Sequence, residues 1–155
     1  MYVPTVAQHP APSRPQDTPH AWNQPIYGAA VQYVDQPDDS PLLPPKSINL
    51  AQQIIGTLLY YSISVDPTML VSIGTIASQQ SKATQATRDA TVRLLNYAVS
   101  HPNATIRYNA SDMVLHLHSD ASYLSEPGAC SRVGGHYFLS NNSTDPFAST
   151  SGKFA

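Results

Sequence analysis

Residues 113–140 read MVLHLHSDASYLSEPGACSRVGGHYFLS. From Met113 to Ser119 the residues alternate, with Met113, Leu115 and Leu117 on one side and Val114, His116 and His118 on the other. That is the period of a half-buried strand. The strand delivers Asp120 at its tip, beside the small residues Ala121 and Ser122. Pro127-Gly128 marks a turn. A second run, Arg132 to Ser140, has the content of a returning strand, with Gly134-Gly135 expected at a bend or a close packing contact. The stretch therefore reads as a β-hairpin with a carboxylate at the end of its first strand.

Upstream of the hairpin the pattern is helical. Ser47 is a candidate N-cap for INLAQQIIGTLLYYSIS. In that segment Ile48, Leu50, Ile54, Ile55, Leu58, Leu59 and Ile63 recur mostly at three- and four-residue steps, as one apolar helix face requires. Gly56 within it costs about 1 kcal/mol relative to Ala and suits a close helix contact. Asp66-Pro67 pairs a cap with a proline at the first helical position. A second helix, TMLVSIGTIASQQ, follows, with Met69, Leu70, Ile73, Ile76 and Ala77 inward. A third is expected from about Thr84 to Ser100, with Ala86, Ala90, Leu94, Tyr97 and Ala98 inward and Arg88, Asp89 and Arg93 mostly outside. His101-Pro102-Asn103 stops it. Ile106 to Tyr108 is a short strand candidate. The order is helix, helix, helix, hairpin, without internal repeat.

The chain has 155 residues and 14 prolines, ten of them between Pro4 and Pro45. That segment is too poor in aliphatic residues to offset its ordering entropy by burial. It reads as a spacer with polyproline character near Pro41–Pro45. The expected division is a disordered Pro-rich spacer at 1–46, a helical segment at 47–104, a hairpin-bearing segment at 105–140 and a disordered tail at 141–155. The fold class is α+β. A foldable part of this size supports only a marginal core.

Charge is low: 12% of residues are charged and the net charge is −2. The eight Lys and Arg are scattered, so the clustered basic face of a stand-alone nucleic-acid binder is missing. Cys130 is the single cysteine, which excludes an internal disulfide and a cysteine zinc cluster. The N-terminus has no continuous apolar core of a signal peptide, and no run suffices to span a bilayer. An intracellular location, cytoplasm or nucleus, and no membrane partner are expected. The sequons at Asn103, Asn109 and Asn142 then read as chance matches.

His116, His118 and Asp120 share a strand face because positions i, i+2 and i+4 lie on one side. A small metal-dependent hydrolase could use that trio. Histidines that face water or pack on a neighbouring element are the blander alternative. Two-metal chemistry needs several converging carboxylates. The further acids near Asp120 in sequence are Asp112, Glu126 and Asp145, with Asp89 on a helix, and they do not assemble into a set of four. Ser119, Ser122 and Cys130 have no base fixed beside them, and no nucleophile-elbow or phosphate-loop motif occurs.

HSDASYLSEPGACSRVGGHYFLS resembles the opening hairpin of the ribonuclease H domain in copia-type retrotransposon polyproteins. QQIIGTLLYYSISVDPTMLVSIGTIASQQSKAT resembles the helices that follow the reverse-transcriptase palm in that family. ATRDATVRLLNYAVSHPNATIRY resembles the next helix, and PQDTPHAWNQPIYGAAVQY resembles a palm–thumb spacer. The likeness covers roughly Pro15 to Ser140. It implies a thumb- or connection-like helical segment and the first hairpin of an incomplete ribonuclease H-like fold. It implies that Asp120 matches the family's first catalytic, metal-binding aspartate, with Mg²⁺ as cofactor and an RNA–DNA hybrid and the remaining parts of the polyprotein as partners. The family's paired polymerase aspartates and later ribonuclease H carboxylates have no counterpart in these 155 residues. The expectation is a truncated or degenerate fragment that is inactive alone and self-associates through its exposed edge strand. The alternative is a non-enzymatic interaction module, a domesticated element protein with a Pro-rich tether and a helical head.

Overall fold

The computed structural model describes residues 6–21, 38–107, 109–123 and 131–141. These form a mixed α+β arrangement of three helices and a two-stranded antiparallel sheet. The described residues divide into a helical unit, 6–21 and 38–106, and a hairpin unit, 107, 109–123 and 131–141.

In the helical unit, α1 spans Pro45–Ser64. Its N-cap is Pro44, extended at φ −66° and ψ 153°, with no capping side chain. Ser47, the expected cap, instead lies in the first turn and donates its N–H to the Pro44 carbonyl at 2.9 Å. Pro45 at the start explains the shift: its φ is already helical, and the N–H it lacks would have no partner there. The helix closes as the Val65 N–H reaches the Tyr61 carbonyl at 2.8 Å. Asp66 then caps a single 3₁₀ turn, Pro67–Met69, by accepting from the Thr68 N–H at 3.2 Å and the Thr68 hydroxyl at 2.5 Å. This is the aspartate–proline start that the sequence announces. The turn leads into α2, Leu70–Gln79, and a second 3₁₀ turn, Gln80–Lys82.

α3 spans Gln85–Ser100 behind Thr84. The Thr84 hydroxyl accepts the Thr87 N–H, and the Thr87 hydroxyl accepts the Thr84 N–H at 3.1 Å. Threonine replaces the usual Glu or Gln in this capping box. The core is Ile55 and Leu58 of α1, Met69, Ile73 and Ile76, then Leu94, Leu95, Tyr97 and Ala98 of α3. The buried line on α1 is Ala51, Ile55, Leu58 and Ser62. Leu50, Leu59 and Ile63, expected inward, are exposed. Ala77 and Ala86 are exposed too, whereas Leu95, Thr87 and Thr91 are buried. Three helices cover one side of each member, and a wide apolar stripe overruns that contact.

The proline-rich segment, expected to be a spacer, carries definite contacts in its described residues. Val6 packs against the core. His9 Nε2 meets Asn96 Oδ1 at 2.7 Å, the Gln16 N–H donates to Ser100 Oγ at 3.0 Å, and Arg93 donates to Thr18 Oγ1 at 2.9 Å. All three partners sit on the C-terminal half of α3. Farther along, residues 38–43 bind the other end of the same helix. Leu42 forms a β-bridge with Thr84, the Leu43 N–H donates to the Ala83 carbonyl, and the Gln85 N–H donates to the Pro41 carbonyl. A polar chain with few aliphatics gains order here because its backbone and short side chains satisfy helix-terminal groups.

In the hairpin unit, β1 is Val114–Ala121 and β2 is Val133–Ser140. The register pairs Leu115 with Leu139, Leu117 with Tyr137, His118 with His136 and Asp120 with Gly134. Met113, expected to begin the strand, has φ 60° and stands outside it. Its left-handed conformation makes the extended run start one residue later, at Val114. Ile106 and Arg107 lie in no strand, which corrects the short strand expected there; Tyr108, together with the Pro127-Gly128 turn and the tail from residue 142, lies outside the described residues.

Candidate functional site

The hairpin's two faces follow from its register. One carries Val114, His116, His118 and Asp120 on β1, opposite Ser140, Phe138, His136 and Gly134 on β2. The period-2 expectation for His116, His118 and Asp120 holds: all three share this side. Phe138 stands among the histidines. Its ring centroid lies 5.2 Å from His116, 5.6 Å from His118 and 4.9 Å from His136, with interplanar angles of 12°, 9° and 27°. Imidazoles held against a phenyl ring in this way pack as aromatic side chains. His116 Nε2 also contacts the Asn141 carbonyl at 3.1 Å, where the carbonyl can only accept. One ring nitrogen of His116 is thereby engaged.

Asp120 is exposed at the end of β1. Its Oδ1 accepts the N–H of Ala121 at 2.8 Å. Beyond it the strands are held together by Ser122, whose N–H donates to the Arg132 carbonyl and whose hydroxyl accepts the Arg132 N–H, both at 2.8 Å. Gly134 lies directly opposite Asp120, and a Cβ there would meet nothing within 4 Å. The carboxylate thus sits on an open corner with small neighbours.

Mg²⁺ would need more than this corner. Paired ions about 3.5–4 Å apart require shared carboxylates. Asp112 precedes β1, at the other end of the hairpin from Asp120, where its N–H is held by Asn141 Oδ1 at 3.0 Å. Among the described residues no group of three or more His, Cys, Asp or Glu is placed to hold a metal ion. The described residues therefore do not fit a two-metal centre. Glu126, Cys130 and Asp145 lie outside them.

A second polar concavity, which the sequence did not signal, opens at the start of α3. Asp38, Ser40, Leu42, Ser78, Lys82 and Thr84 contribute to its lining, and its volume is about 500 Å³. The Asp38 carboxylate accepts the Ser40 N–H at 3.0 Å, the Ser40 hydroxyl at 2.5 Å and the Thr84 hydroxyl. The Ser40 hydroxyl, then that of Thr84 and the Ser40 N–H, hold its pKa below the usual 3.8. Ser40 Oγ in turn accepts the Ala86 N–H at 3.2 Å. Asp38, Ser40 and Thr84 are thereby committed to fastening residues 38–40 onto the helix start, which is a capping function. The only sequence signal would have been Asp-Asp-Ser ahead of a distant Thr.

No family model, curated protein or solved structure matches the chain. No helix among the described residues is long and apolar enough to cross a membrane.

Proposed function

We propose that the chain corresponds to the part of a copia-type retrotransposon polyprotein that joins the helices after the reverse-transcriptase palm to the opening hairpin of a ribonuclease H-like domain. Its ancestral work is RNA-directed DNA synthesis and removal of the RNA strand of a hybrid, and the chain by itself performs neither. The observation that carries the reading is Asp120, set at the tip of β1 opposite Gly134 and followed by Ala121 and Ser122. The helix–turn–helix with Asp66-Pro67 at its corner supports it from the other half of the likeness. A lone exposed carboxylate cannot offset the repulsion and dehydration of two Mg²⁺ ions, so hydrolysis would require carboxylates from elsewhere in the polyprotein.

Two measurements test this. The nucleotide sequence on either side of the reading frame should encode a paired-aspartate polymerase motif upstream, or Glu and Asp at ribonuclease H positions downstream; absence of both refutes descent from the polyprotein. A fluorogenic RNA–DNA hybrid assay with Mg²⁺ or Mn²⁺ should give no turnover, and turnover abolished by Asp120→Asn would overturn the inactivity.

A further inference from the structure

The hairpin's other face bears no group that is charged at neutral pH. It pairs Leu115 with Leu139, Leu117 with Tyr137, Ser119 with Gly135 and Ala121 with Val133. Its large members are exposed: Leu115 by 64%, Leu117 by 55%, Val133 by 75%, Tyr137 by 64% and Leu139 by 49%. A monomer does not keep such a face in water without cost, and a two-stranded ribbon needs a covering layer to be stable.

We propose that this aliphatic face packs against the same face of a second copy of the chain. Three considerations select that occupant. The first is charge. With no cation, the face offers nothing to a nucleic-acid backbone, and with no charge of either sign two copies meet without repulsion or desolvation of an ion. The second is the disposition of the two faces. Pairing through a free strand edge would extend both faces and leave ten large apolar side chains in water. Face-to-face packing at the usual separation of about 10 Å covers them and turns both imidazole faces outward to solvent. The third is area. At about 60–120 Å² for each large side chain, five supply roughly 500 Å² per copy. The pair then covers about 1,000 Å², the lower end of what a specific interface needs. The expected assembly is a reversible homodimer with a Kd on the order of 10–100 µM. This association differs in surface from edge-strand pairing, and it stands or falls independently of the ribonuclease H reading.

Sedimentation equilibrium of the full chain from 5 to 500 µM tests it, on an order-of-magnitude range set by that affinity. Leu117→Asp places a charge at the centre of the face, where the monomer already exposes the side chain, and should weaken association at least about tenfold. His118→Asp puts the same charge on the opposite face and should leave the equilibrium unchanged. Two-dimensional NMR of both variants, read at the cross-strand contacts of Leu115 with Leu139 and His116 with Phe138, reports whether the hairpin persists. A chain that stays monomeric throughout the range overturns the proposal. So does equal weakening by both variants, which would trace the loss to unfolding, and so does open-ended growth that Leu117→Asp fails to reverse, which would assign association to the strand edges.

Discussion

Thr84→Ala is the most direct probe of how the helical unit is held together. The Thr84 hydroxyl accepts the Thr87 N–H at the N-terminus of α3, and it donates to Asp38. Both Thr84 and Thr87 are buried, at 8% and 1% exposure. Removing an N-cap hydroxyl costs typically about 1 kcal/mol. Leaving a buried N–H unsatisfied costs about 1–3 kcal/mol. The two descriptions overlap, because both concern the same hydrogen bond, so the expected destabilisation is about 2 kcal/mol. In a unit of this size each kcal/mol lowers Tm by roughly 4–8 °C, hence about 8–16 °C here. Thermal unfolding of the full chain followed at 222 nm measures it, since the helices dominate that signal. Thr84→Ser retains the oxygen and should stay within about 0.5 kcal/mol of the parent. A Thr84→Ala protein that melts within 2 °C of the parent, on the same order-of-magnitude scale, would refute the claim that this cap anchors the helix and the segment bound to it.

Three further outcomes are expected. Ser62 and Ser72 are buried with no hydrogen-bond partner for their hydroxyls among the described residues; Ser62→Ala and Ser72→Ala should each stabilise the helices by about 1 kcal/mol in urea unfolding. A Cβ on Gly135 would stand 2.9 Å from Tyr137 Cε2. Because that atom belongs to an exposed ring, Gly135→Ala should displace the ring, seen as changed Tyr137 proton shifts, with a stability change under about 0.5 kcal/mol. The Asp38 carboxyl is lowered below 3.8 in the folded chain, so its stabilising hold on Ser40 and Thr84 is fully present above that value and is lost as pH falls through the folded pKa. Amide resonances of Ser40 and Thr84 followed from about pH 5 to 2 should report release, and Asp38→Asn should abolish that transition.

Local chemistry made much of this molecule legible from the sequence alone. The helix order, the Asp66-Pro67 corner, the Thr84 start of α3 and the alternation of β1 all depend on contacts a few residues long, which residue type and period dictate. The same period placed Asp120 on the side of His116 and His118. Tertiary structure decided the rest. Which part of an apolar stripe is buried depends on how many neighbours surround the helix, so Leu50, Leu59 and Ile63 point to water while Thr87 and Thr91 are buried. The association of Asp38 with Thr84, 46 positions apart, leaves no local trace, because it is selected by unsatisfied groups at a helix end. The packing of Phe138 among three histidines likewise arises only when β2 returns in one particular register, for a strand's partner is set by pairing across space and not by its own order of residues.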